Sequence, residues 1–166
     1  MTETINRILV PVDFSAHSEN AIRFATTLAN KFGARVSLLH VVEDPFVTGA
    51  WQAEAFVANI PELLDDLKKA SRAQLADLKK NLAAHGFLVE TEVVTGQPAS
   101  TIVEYAAAGG FDVIVMGTHG RTGLSHAFMG SVAERVVQKA PCAVLTVRDT
   151  VTKAPKEAAT RATVVV

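Results

Sequence analysis

Through residue 148, short and nearly unbroken apolar runs alternate with stretches whose apolar positions recur every three or four residues. The short runs are Ile8-Leu-Val-Pro-Val, Arg35-Val-Ser-Leu-Leu-His-Val-Val, Phe87-Leu-Val-Glu-Thr-Glu-Val-Val, Asp112-Val-Ile-Val-Met and Cys142-Ala-Val-Leu-Thr-Val. Four of them are almost continuous in apolar residues, the pattern of parallel strands covered on both faces. The third ends in alternation, with Val89, Thr91 and Val93 set against Glu90 and Glu92, which predicts a more exposed, edge-like strand.

The intervening stretches carry helical periodicity. Ile22, Ala25, Leu28, Ala29 and Phe32 share one face, and Gly33 supplies a stop. Leu64, Leu67, Leu75, Leu78 and Leu82 make a stripe on a long helix that ends at His85-Gly86. Pro98 suits the first turn of a third helix running to Gly109-Gly110. A fourth opens at Ser131 with Val132, Ala133, Val136 and Val137 inward, and Pro141 stops it. The order β-α-β-α-β-α-β-α-β predicts an α/β fold: a three-layer, doubly wound arrangement of a five-stranded parallel sheet with four main helices and right-handed crossovers. Two segments stand outside this unit. Residues 43–60 form a long connection with Pro45, Gly49 and Trp51, of a length usually functional or mobile. Residues 149–166 form a polar C-terminal tail with a Val-Val-Val end, so the division is a domain at 1–148 and a tail at 149–166.

Composition narrows the function. The 166 residues carry 16 Lys+Arg against 17 Asp+Glu, a net charge of −1, and 49% are hydrophobic. That is the make-up of a single globular domain, and it provides no long-range attraction for nucleic acid or anionic lipid. No apolar run approaches the roughly 18 residues of a membrane span. The start, Met1-Thr-Glu-Thr-Ile-Asn, has neither a basic nor an apolar leader segment, so a cytoplasmic protein is expected. Cys142 is the single cysteine and is read as part of the core rather than as a nucleophile.

The chemistry concentrates in Met116-Gly-Thr-His-Gly-Arg-Thr-Gly-Leu-Ser-His-Ala-Phe-Met-Gly-Ser-Val. This segment leaves the carboxyl end of a buried strand and finishes at a helix N-terminus. Both places favour anions, because glycine turns let backbone N–H groups approach a phosphate and a helix start presents unpaired N–H groups. Gly117, Gly120 and Gly130 permit close approach, Ser131 offers a hydroxyl, and Arg121 adds a cation. A second reading of Ser131 stands beside this one, since Ser131-Val-Ala-Glu134 also matches a capping box. The segment is neither a Walker A loop nor a G-x-G-x-x-G turn, and the lysine of P-loop enzymes is absent.

Gly117-x-x-Gly120, nine residues and then Gly130-Ser131 resembles the G-2x-G-9x-G-[S/T] signature of ATP-binding universal stress proteins. The resemblance extends to Ile8-Leu-Val-Pro-Val-Asp-Phe-Ser, Gly96-Gln-Pro-Ala and Pro141-Cys-Ala-Val-Leu-Thr-Val, and covers roughly residues 5–148. It implies strand order 3-2-1-4-5, in which the sheet reverses direction between the first and fourth strands. Ligands in such sheets bind outside the carboxyl ends of the strands at that reversal. It further implies that Pro11, Val12 and Asp13 lie along adenosine, that Val41 recognises the adenine edge and that Met116 packs on the base or sugar. Gly117, Thr118, Gly120, Arg121, Gly130, Ser131 and Val132 would then wrap the ribose and phosphates of ATP. Asp13 is open to two roles, one toward a ribose hydroxyl or water-held Mg²⁺ and one as a cap for the helix near Ser15. A homodimer through strand 142–147 is also implied, the alternative being that the tail covers that edge.

The remaining histidines read as structural. His40 is packed in its strand, His85 sits at a helix C-terminus, and His119 is a solvent-facing loop residue within reach of a phosphate. His119 and His126, with no third ligand in the segment, fall short of a metal site. Lys68-Lys69 and Lys79-Lys80, near Asp65, Asp66 and Asp77, form a solvated helix face. The functional expectation is an ATP-binding, regulatory module of stress response with little or no catalysis and an unidentified protein partner. The alternative is a slow ATPase or autophosphorylating protein, with Asp13, His119 and Glu134 as candidates to orient a nucleophile. A flavoprotein-like or adenylating module is the third class, and it requires further substrate elements.

Overall fold

The computed structural model describes residues 4–43, 60–119 and 129–148, together with the backbone of 162–165. Five strands lie parallel: β1 (Arg7–Pro11), β2 (Arg35–Glu43), β3 (Val89–Gly96), β4 (Val113–Gly117) and β5 (Ala143–Val147). Between them run α1 (Ala16–Phe32), α2 (Ile60–Ala84), α3 (Pro98–Gly109) and α4 (Ser131–Lys139). Each predicted element is present, with ends displaced by a few residues where turns and caps intervene. The strand order is β3-β2-β1-β4-β5, so the chain reverses direction between β1 and β4 as expected.

A sixth strand, β6 (Ala162–Val165), extends the sheet beyond β5 and was not anticipated. It runs antiparallel, placing Val144 opposite Val165 and Val147 opposite Ala162. The outer edge of β5 is therefore covered by the tail, which was the alternative to a free edge. The other edge belongs to β3, whose mixed burial fits its alternating sequence.

Reversal of direction puts helices on both faces, because each right-handed crossover packs on the side set by its direction of travel. On one face, Ile8 and Val10 of β1, Val36 and Leu38 of β2, and Val113 and Val115 of β4 meet Ala21, Ile22, Ala25 and Ala29 of α1 and Leu75 of α2. On the other, Leu9, Leu39, Ile114 and Val144 meet Ile102 and Ala106 of α3 and Ala133 and Val136 of α4. Strand side chains alternate faces along the chain, so one strand supplies both cores.

Two helical stripes differ from expectation at single positions. Leu67 is 44% exposed although Leu64, Leu75, Leu78 and Leu82 pack inward. At 100° per residue Leu67 stands about 60° from Leu64. Buried Ser71 lies closer to the stripe and donates its hydroxyl to the Leu67 carbonyl at 2.8 Å. Phe32, at the last position of α1, is likewise 40% exposed. Elsewhere the structural readings hold: His85 Nδ1 lies 2.8 Å from the Asn81 carbonyl at the end of α2, and Lys69 pairs with Asp66 in solvent. Burial pushes the half-buried Cys142 thiol up, with the Asp112 carboxylate adding to the shift against a backbone hydrogen bond from Ile114. The thiol therefore stays protonated at neutral pH, consistent with a packing role.

Candidate functional site

The carboxyl ends of β1 and β4 open onto a cleft of about 300 Å³, at the point where the sheet reverses direction. Pro11, Val12 and Asp13 form one wall and Met116, Gly117 and Thr118 another. Val41 comes from β2, while Gly130, Ser131 and Val132 come from the start of α4. The expected residues thus meet at one place. Gly120, Arg121 and His126, like the 44–59 part of the long connection, lie outside the described residues.

Each wall has a local cause. After β1, the Val12 N–H donates to the Leu39 carbonyl at 2.8 Å, and the Val12 carbonyl lies 2.7 Å from His40 Nδ1. Since a carbonyl only accepts, His40 carries its proton on Nδ1 here. Asp13 then turns the chain: its Oδ1 accepts from the Ser15 N–H at 3.1 Å and from the Ser15 hydroxyl at 2.5 Å. Ser15 itself is the cap of α1, accepting from the Ser18 N–H at 3.3 Å. Asp13 therefore supports the capping residue rather than capping α1 directly. Between them Phe14 has φ of 62°, a left-handed conformation that costs a bulky residue about 1–3 kcal/mol. Its ring centroid sits 4.6 Å from that of His40, so β2 braces the turn that presents Asp13.

The far wall is closed by two backbone hydrogen bonds. The Thr118 N–H donates to the Val147 carbonyl at 3.1 Å, prolonging the β4–β5 pairing. The Gly130 N–H donates to the Thr118 carbonyl at 2.7 Å, so the two ends of the glycine segment are held together. A side chain at Gly130 would have its Cβ 3.2 Å from that carbonyl oxygen. Gly117 needs its missing Cβ for a different neighbour, because a Cβ there would stand 2.9 Å from the His17 Cβ and 3.1 Å from the His17 backbone on α1. Neither glycine has a positive φ, so close approach rather than turn conformation explains both.

The capping-box reading of Ser131 is not what forms. Gly130 occupies the cap position, no side chain caps α4, and Ser131 is the first helical residue. By contrast, α1 is capped by Ser15 and α3 by Gln97, whose Oε1 accepts from the Ser100 N–H at 3.1 Å. The start of α4, facing the cleft, keeps its N–H groups and partial positive charge available to an anion.

Several cleft residues were not singled out as site residues from the sequence. Glu43 comes from the end of β2, His40 from the same strand, and Pro98 and Ile102 from the first turns of α3. Their signal was positional: they sit at strand ends or a helix start on the same edge of the sheet. His119 also lines the cleft and is half-buried, not solvent-facing as expected. Among the described lining residues the formal charges are the carboxylates of Asp13 and Glu43, with no Lys or Arg. The arrangement combines an apolar slot (Val41, Ile102, Met116) with a polar end at Gly117-Thr118 and Gly130-Ser131. It suits a flat ring system carrying an anionic group.

Known proteins resemble this chain over most of its length. The profile of the universal stress protein family matches residues 4–148. Universal stress protein MJ0531 of Methanocaldococcus jannaschii is 40% identical over 147 residues, spanning 86% of this chain and 81% of that protein. YxiE, a universal stress protein of Bacillus subtilis, is 34% identical over 149 residues, with 86% and 99% covered. The solved structure of MJ0577, also from M. jannaschii, superposes with a TM-score of 0.77 at 32% identity, covering 90% of this chain and 100% of the other.

Proposed function

Because the chain belongs to the universal stress protein family, we propose that it is an ATP-binding regulatory protein with little or no intrinsic catalysis. The observation that carries this reading is the uncapped start of α4, held against Gly117-Thr118 by the Gly130–Thr118 hydrogen bond. Backbone N–H groups there are placed for phosphates, while Val41 and Met116 border the slot for the base. This is the division of labour that a nucleotide requires of its site. It also suits a chain of net charge −1, because local geometry replaces surplus lysines.

A divalent cation fits the donor set. Asp13 and Glu43 bring hard carboxylate oxygens to the cleft, and Mg²⁺ is usually held by one or two carboxylates, water and phosphate oxygens. Bound there, Mg²⁺ would neutralise phosphate charge that the two carboxylates otherwise repel. Dedicated phosphoryl transfer needs a group to orient the nucleophile and a cation on the transferred phosphate. The lysine of P-loop enzymes is missing from the sequence of the glycine segment, which favours binding over turnover. Regulation then requires that nucleotide occupancy favour one state of a surface read by a partner.

The reading is tested by denaturing the freshly purified protein and identifying the released nucleotide by mass spectrometry. ATP is the expected species, and sustained phosphate release by the intact protein would favour the ATPase alternative instead. Absence of any nucleotide, together with no thermal shift on adding Mg-ATP, would overturn the proposal.

A homodimer through strand 142–147 remains part of the reading, with one added condition. Since β6 occupies the outer edge of β5, two copies can pair along that edge only if β6 leaves. A chain ending at Arg148 is therefore expected to self-associate more tightly than the full chain. Sedimentation velocity over a dilution series checks this, and identical association of the two chains would contradict competition by β6.

A further inference from the structure

Helices α1 and α2 cover the same face of the sheet, and a second groove, of about 380 Å³, lies between them. Val12, Phe14, Ile22 and Leu78 give it apolar surface, while Glu19 of α1 and Asp77 of α2 bring exposed carboxylates to it. Gln74 and Asn81 complete the α2 side. Farther toward the start of α2, Leu63 and Leu67 stand 42% and 44% exposed. At 100° per residue, Leu63, Leu67, Gln74, Leu78 and Asn81 fall within an arc of about 60°, so the two exposed leucines continue the groove side of the helix. From Leu63 to Asn81 this strip runs about 27 Å. The lysines of α2 lie around the helix from it, Lys68, Lys69, Lys79 and Lys80 standing about 100–160° from Leu63. Arg23, one turn beyond Glu19, donates to Asn20 Oδ1 at 3.0 Å. The strip is therefore apolar with acidic flanks, and large apolar side chains left in water along one line mark an interaction surface.

We propose that the α1–α2 groove and its leucine strip dock an amphipathic helix of a partner protein, one that carries Lys or Arg beside its apolar stripe. A groove between two helices accepts a third whose anchors recur at i, i+3 or i+4 and i+7. A helix of about 18 residues matches the 27 Å of the strip, whereas a small ligand would leave most of it bare. Glu19 and Asp77 beside the groove select basic flanks and steer the encounter. A second copy of this chain is a poor occupant, because its own α2 would bring Asp66 and Asp77 to carboxylates of the same sign. Val12 and Ser18 border both this groove and the cleft, and Phe14 belongs to the turn that presents Asp13. A helix seated here thus touches the same turn as the cleft does. The docking surface stands whether or not the cleft takes ATP.

The probe is a fluorescein-labelled peptide of about 18 residues, with Leu at successive third and fourth positions, Lys flanking them and Ala elsewhere. A control peptide carries Glu in place of each Lys. Both are titrated with the full chain by fluorescence anisotropy, and the Lys peptide is expected to bind at least about tenfold more tightly. Leu63→Ser combined with Leu67→Ser should weaken it about tenfold, and Asp77→Lys about fivefold. Asp65→Lys and Leu88→Ser, at exposed positions off the strip, should stay within about twofold of wild type. Every substituted side chain is exposed, so all the variants should melt close to wild type. Equal binding of the two peptides, or equal weakening by strip and control substitutions, would reduce the effect to general charge attraction and overturn the proposal. Failure of wild type to bind the Lys peptide would overturn it as well. A photo-cross-linking residue in place of Gln74 should label the Lys peptide; labelling of the chain itself, with peptide in excess, would make a segment of the chain the occupant and contradict a partner helix. So would a wild-type dimer, by sedimentation velocity, that the double leucine variant turns into monomer.

Discussion

Gly130→Val is expected to lower Mg-ATP affinity by roughly 100-fold while leaving the protein folded. The valine Cβ would stand 3.2 Å from the Thr118 carbonyl oxygen, and its methyl groups would crowd the His119 backbone behind it. The Gly130–Thr118 hydrogen bond at 2.7 Å could not keep its length, so the start of α4 would part from the end of β4. Two misdirected hydrogen bonds to phosphate, at about 1.5 kcal/mol each, account for the expected loss. The backbone at Gly130, with φ of −64° and ψ of 149°, suits any residue, so no conformational strain is added. Destabilisation should therefore stay below about 1.5 kcal/mol, and Gly130→Ala should weaken binding by less than about tenfold. Calorimetric titration beside a thermal melt measures both. Unchanged affinity in the valine variant would mean that the phosphates do not lie at this helix start.

Gly117→Val should strike the fold itself. Its Cβ would meet the His17 Cβ at 2.9 Å and the His17 backbone at 3.1 Å. Backbone of a packed helix cannot step aside as the tip of a flexible side chain can. Overpacking of this kind costs about 2–3 kcal/mol, and a chain of this size loses roughly 2–4 °C of melting temperature per kcal/mol. A fall of about 5–10 °C is therefore expected by scanning calorimetry, accompanied by weaker ATP binding because Gly117 also lines the cleft. A melting temperature equal to that of wild type would show that α1 does not press on the end of β4. The two glycines of one motif thus have different duties, Gly117 admitting a helix and Gly130 admitting the ends of its own loop.

The layered fold was legible because β1, β2, β4 and β5 are buried on both faces and the helices between them are amphipathic. The β3 edge announced itself through Glu90 and Glu92. By contrast, β6 is four residues long and follows a polar tail, so no periodicity distinguished it from the rest of that tail. Ser131-Val-Ala-Glu134 matched a capping pattern, but the cap fell one residue earlier on Gly130, a choice made by the hydrogen bond to Thr118. The left-handed Phe14 had no local signal either, since contacts with β2 hold it there. The walls of the cleft could be named from the glycine spacing and from strand ends. The contributions of His40, Glu43, Pro98 and Ile102 needed the tertiary arrangement, because they arrive from separate elements at one edge of the sheet.

The proposed function turns on one cleft holding ATP. Equilibrium titration of nucleotide-free protein with Mg-ATP tests that most directly, with the melting temperature followed over the same concentrations. The expected result is saturable uptake of one ATP per chain, with a stabilisation of about 2.7 kcal/mol when free ligand reaches 100 times its dissociation constant. Folded protein that takes up no ATP at millimolar concentration, and melts at the same temperature with and without it, would contradict an ATP site in this cleft.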